Sequence, residues 1–153
     1  MSKKRVIIST AILTLITASS FKAVDFCKRQ GIKGKVYFVS GNQMPSPDIP
    51  TPEPKPIKTS LYIFELTNIS QVTGKKGSPF YTSINTRLVK EVRSNSEGRF
   101  KVRLDAGEYS VFTKKGDLFY ANTFDQFNNI ASVKVVPGSF AELNVRIDYD
   151  AAY

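Results

Sequence analysis

The sequence predicts an all-β fold, with apolar side chains hidden between two layers of extended backbone. Three observations predict it. Phe100, Val102 and Leu104 alternate with Arg99, Lys101 and Arg103, and period two puts the apolar side chains on one face of a strand and the charges on the other. Such a face needs a second sheet to cover it. Turn signals recur through the second half about every 8–12 residues, the spacing of sandwich strands. No stretch beyond the first 20 residues shows a helical apolar period.

Composition narrows the function. The 153 residues suffice for one domain with a real core. The formal charge is +9, and without Lys3, Lys4 and Arg5 it is 9 − 3 = +6. Such a surplus attracts anionic partners. The basic residues are nevertheless spread over strand faces and loops, the pattern of a solvated surface. There is no histidine, so the commonest general base and metal ligand is missing. The single cysteine, Cys27, excludes an intrachain disulfide and a Cys-rich zinc site.

The first residues read as an export address. Met1 to Arg5 is short and basic, Val6 to Ala18 is apolar, and Ala18-Ser19-Ser20 supplies small residues for cleavage. The apolar run is about 13 residues, short of the roughly 20 that span a bilayer. We therefore expect a signal-peptide helix over 1–20, an N-terminal segment over 21–30 and one domain over 31–153. The destination is the periplasm or the medium, with no transmembrane span in the mature chain. Val24-Asp25-Phe26 before Cys27 lacks the small residues that a lipid-attachment site needs, so a partly buried or interchain-paired thiol is preferred to lipidation.

Ile32 to Val39 reads as the first strand, with Gly31 and Gly34 offering room for a bulge. Six of the eight prolines fall in an insertion over 41–58. It is an extended surface connection and no helix or central strand. Ser60 to Leu66 is a strand, and polar Asn68 to Pro79 a mobile loop. Leu88 to Arg93 is a strand, and Ser94 to Gly98 a hairpin loop with Gly98 suited to the left-handed position. Strands follow over Arg99–Leu104, Tyr109–Thr113, Leu118–Asn122 and Ser132–Val136, the third after a tight Lys115-Gly116-Asp117 turn. Val136-Pro137-Gly138-Ser139 matches a type II turn. In the last strand Ala141, Leu143, Val145 and Ile147 alternate with Glu142, Asn144, Arg146 and Asp148.

The run from Ser94 to Tyr109, with its Ser94-Asn95-Ser96-Glu97 turn, Gly98-Arg99-Phe100, alternating strand and Ala106-Gly107-Glu108-Tyr109, resembles the carboxypeptidase regulatory-like domain. Gly31 to Val36 looks like that family's opening strand. Val133 to Gly138 and Ala141 to Ile147 look like its closing turn and last strand. The resemblance spans roughly Gly31 to Asp148 and suggests a small exported bacterial subgroup. It implies an Ig-like, transthyretin-like Greek-key β-sandwich of about seven strands, which accompanies enzymes without being one. The long proline segment and the loop Asn122 to Asn129 depart from the pattern.

Four classes of function remain. A non-catalytic module could meet an envelope protein or glycan through Tyr120, Phe124, Asp125 and Phe127, since recognition favours loops on rigid scaffolds. The bland alternative is that these aromatics cap the core. Acid–base catalysis would fall to Asp105, Glu108, Asp117 and Asp125, all in or beside turns where Asp is favoured for local hydrogen bonding. Calcium would need more oxygen ligands than Asp125-Gln126-Phe127-Asn128-Asn129 offers. The surplus cations would suit acidic glycan or lipopolysaccharide more than nucleic acid, given the export address. We expect the binding module, no enzyme and no cofactor.

Overall fold

The computed structural model describes residues 29–45, 47 and 50–153. The signal segment, Cys27 and most of 21–30 lie outside the described residues. The strands, in chain order, are β1 (Gly31–Asn42), β2 (Lys55–Pro56), β3 (Ser60–Glu65), β4 (Val72–Gly74), β5 (Phe80–Ile84), β6 (Leu88–Arg93), β7 (Arg99–Arg103), β8 (Gly107–Lys115), β9 (Leu118–Tyr120), β10 (Ser132–Val135), β11 (Phe140–Glu142) and β12 (Val145–Ala152). A short 3-10 turn occupies Ile69–Gln71. Among the described residues no helix is long and apolar enough to cross a membrane.

Two sheets make a β-sandwich. In the first, β1 is central, with antiparallel β7 and β2 on one side and parallel β11 and β12 on the other. The second runs β4-β5-β9-β8-β3-β6, and β10 also pairs with β8. Alternation supplies the faces. Ile32, Val36, Phe100, Val102 and Ile147 point from the first sheet onto Leu61, Ile63, Tyr109, Val111 and Tyr120 of the second. The opposite side chains of the second sheet build another cluster around Phe64, Tyr81, Phe112, Ala121 and Ile130. Burial of each such large apolar side chain is worth roughly 1.5–3 kcal/mol. Phe112, fully buried, lies edge-on to Phe64 and Tyr81 at centroid distances of 5.6 and 5.9 Å. The second sheet is thus apolar on both faces.

Several expectations hold in detail. Gly98 takes φ 72° in the hairpin, where an added Cβ would stand 2.4 Å from the Val36 carbonyl oxygen. Gly138 takes φ 76° in the turn closed by Ser139 N donating to Val136 O. Among the described residues, the proline insertion over 41–58 contributes the last two residues of β1 and the two-residue β2, which pairs with β1.

Others are corrected. Among the described residues twelve strands, several of two or three residues, stand where about seven were expected. Asn68 to Pro79 is structured at its start: Asn68 and Gln71 form a reciprocal cap on the 3-10 turn, and β4 pairs with β5. The register shift in β1 falls between Phe38 and Ser40 rather than at the flanking glycines. The last strand is interrupted at Leu143 and Asn144, although β11 and β12 keep one register against β1 as far as Phe38. Gly34 serves close approach here, since a Cβ on it would come within 1.8 Å of Leu143 O.

Candidate functional site

Residues 122–131 leave the buried end of β9 and return to β10. Asp125 organises them. Its Oδ1 accepts from Phe127 N at 2.8 Å and Asn129 N at 2.9 Å, and its Oδ2 accepts from Asn129 Nδ2 at 2.9 Å and Ser132 Oγ at 3.1 Å. Partial burial raises the carboxyl's pKa, but the donors from Asn129, Phe127 and Ser132 outweigh it and hold it below the ordinary carboxylate value. The turn preceding β4 clamps the loop from the side. Asn68 Nδ2 donates to Phe127 O at 2.8 Å, Ile69 N to Asn128 O at 3.0 Å, and Ile130 N donates to Thr67 O at 2.8 Å.

The clamp fixes an unusual backbone. Asn128 and Ala131 have φ 64° and 42°, the two positive-φ non-glycine residues among those described. Such conformations cost about 1–3 kcal/mol each and persist only where neighbours over-determine them. The product is a rigid, apolar tip: Phe127 is 69% exposed, Phe124 50% and Ile69 43%. Beside it a shallow cleft of about 350 Å³ is lined by residues including Leu66, Glu108, Phe127 and Lys134.

Three of the four expected site residues therefore share the loop, and the fourth does not. Tyr120 is 2% exposed and faces the core between the sheets, so it leaves the expected aromatic platform. Its hydroxyl donates to Asp148 Oδ1 at 2.5 Å, and Asn122 Nδ2 donates to the same oxygen. Burial first, then this hydrogen bond, pushes the Tyr120 pKa far up. The Tyr120–Asp148 bond ties β9 to β12, and Tyr153 Oη, just past the end of β12, donates to Asp148 Oδ2 at 2.7 Å. The alternative in which all these aromatics cap the core is equally corrected for Phe124 and Phe127, which are in water.

Two of the four turn carboxylates share a groove, and Asp117 and Asp125 lie outside it. Asp105 and Glu108 line this groove of about 560 Å³ with Glu65 and Arg87. Glu65 is held by Arg87 at 2.6 Å and Glu108 by Lys134 at 3.4 Å. The Asp125 oxygens are filled from within the loop. Among the described residues no cluster of three or more acid, His or Cys side chains is poised for a metal ion.

Sequence reasoning missed one surface. The cations judged to be dispersed include a set that the β1–β7 ladder gathers on the outside of the first sheet: Lys33, Lys35, Arg99 and Lys101. The strand pairing that brings them together spans more than 60 residues, so no local pattern marks it. No protein family, no curated protein and no solved structure matches this chain.

Proposed function

We propose that this protein is an exported, non-catalytic recognition domain of the cell envelope, and that the loop over 122–131 meets its partner. Its class is the accessory sandwich of the carboxypeptidase regulatory-like type, a reading supported by the Ser94–Tyr109 motif and the two-sheet fold. One observation carries the functional reading: Phe127 is held in water on a loop fixed by the Asp125 carboxylate and Asn68. An exposed phenylalanine forgoes roughly 1.5–3 kcal/mol of burial, which an apolar pocket on a partner recovers. Preorganisation removes much of the ordering cost of binding. The partner is a protein with a complementary apolar pocket.

The test is photo-crosslinking in cells from position 127, with position 117 as control. A discrete adduct from 127 alone, lost on adding Phe124→Ala and unaccompanied by a fall in Tm, is the expected result. Absence of any adduct from 127 beyond those of 117 overturns the proposal, as does unfolding of a Phe127→Ala variant.

A further inference from the structure

The outside of the first sheet carries a second surface, independent of the loop. Alternation sends Arg99, Lys101 and Arg103 of β7 outward while Phe100 and Val102 enter the core. The same period places Lys33, Lys35 and Tyr37 on the outer side of β1. The antiparallel register sets Lys33 directly opposite Lys101 and Lys35 directly opposite Arg99. Like charges directly opposite one another destabilise a sheet. This one places two such pairs side by side.

Little nearby relieves them. Arg99 has an exposed ion pair with Glu97 at 3.2 Å, and Lys101 Nζ lies 4.3 Å from the centroid of the Phe140 ring. Lys33, Lys35 and Lys101 have no ion pair among the described residues. Glu142 stands level with Lys33 on the other neighbour of β1 and tempers the charge at that end. The four cations, with Tyr37, Asn144 and the one carboxylate Glu142, line an open depression of about 520 Å³.

We propose that this depression binds an anionic polysaccharide, a saccharide chain bearing carboxylate, sulfate or phosphate groups. The cations form a two-by-two grid, about 7 Å along the strands and about 5 Å across them. A grid of that kind suits the repeated charges of a chain better than one small ion. Single-stranded nucleic acid would call for several open aromatic platforms among the cations. Here the lining aromatics are Tyr37 and Phe100, and Phe100 is buried in the core, while Lys101 covers Phe140. Asn144 and the tyrosine hydroxyl supply the neutral hydrogen-bonding groups that sugar hydroxyls need. A bound polyanion turns the cross-strand repulsion into attraction, so binding also stabilises the sheet.

The experiment titrates the purified protein with heparin, polygalacturonate, neutral dextran and a single-stranded oligonucleotide over a range of salt. Lys35→Gln/Arg99→Gln is compared with Lys75→Gln/Lys76→Gln, which removes equal charge from the loop between β4 and β5. The expected result is salt-dependent binding of heparin or polygalacturonate, the two arms separating sulfate from carboxylate recognition, and none of dextran. The sheet variant weakens binding at least tenfold and lowers the salt slope by about 2, roughly one per cation. Its Tm rises by about 1–4 °C because the opposition is gone, and the loop variant keeps its affinity. Equal weakening in both variants reduces the effect to net charge and overturns the proposal. Preference for the oligonucleotide, or no salt-dependent saccharide binding, also overturns it. Should the sheet variant fail to fold, Lys33→Gln/Lys101→Gln and the Tm rise of the parent with heparin carry the same test. Phe124→Ala/Phe127→Ala keeps its heparin affinity, which separates this surface from the loop.

Discussion

Removing the same atom from two neighbouring tyrosines is expected to change stability in opposite directions. Tyr81 and Tyr120 sit on adjacent paired strands, β5 and β9, but belong to different apolar clusters. Tyr81 is 2% exposed, and its buried hydroxyl has no hydrogen-bond partner among the described residues. Burial alone pushes its pKa up. Such a hydroxyl costs about 1–3 kcal/mol in lost hydration, so Tyr81→Phe is expected to stabilise the fold by about 1 kcal/mol. The Tyr120 hydroxyl instead donates to the Asp148 carboxylate at 2.5 Å. Hydrogen bonds to charged groups contribute about 1.5–3 kcal/mol. Asp148 keeps Asn122 and Tyr153 when this donor is lost, so Tyr120→Phe is expected to cost about 1–2 kcal/mol. Denaturant unfolding with an unchanged m-value measures both. Thermal midpoints should separate the two variants by about 4–12 °C. The rings share no partner, so the double variant should show the sum. A Tyr81→Phe protein less stable than its parent, or a Tyr120→Phe protein of unchanged stability, would refute the reasoning.

Three further outcomes are expected. Gly34→Ala should cost about 3 kcal/mol or more, because its methyl would meet Leu143 O at 1.8 Å and force β1 away from β11; the denaturant midpoint reports it. Asp125 is held below the ordinary value of 3.8, so its contribution is complete above that pH and is lost as pH falls through its lower folded pKa. Hydrogen exchange at the Phe127 and Asn129 amides, both donors to Asp125, should accelerate there while the β8 amides stay protected. Tyr81, Tyr109 and Tyr120 are all raised above 10.0, chiefly by burial. Their contribution is complete below pH 10 and lost as pH rises through the folded values, so ultraviolet titration should show them ionising together with unfolding.

The sandwich was legible because its signals are local. Phe100, Val102 and Leu104 alternate within one strand, and Gly98, Pro137 and Gly138 stand at turn positions that their own stereochemistry selects. The loop was legible for the same reason, since Asp125, Asn128 and Asn129 favour tight turns. Tyr120 was misplaced because alternation does not reveal which face of a strand meets a second sheet. The apolar outer face of the second sheet was invisible, as Tyr62, Phe64 and Phe112 look like ordinary strand formers. The grid of Lys33, Lys35, Arg99 and Lys101 depends on the β1–β7 register, which joins segments far apart in the chain.

The position of β1 constrains how the molecule is made. Its parallel neighbours β11 and β12 lie more than 100 residues downstream. A chain emerging from its amino end therefore carries an open, hydrogen-bond-hungry strand until the final segment arrives. Contacts of such long range slow folding and leave unpaired edges exposed meanwhile. A messenger truncated before residue 140 would yield a polypeptide with that ladder permanently unzipped, fit for proteolysis or self-association and not for work.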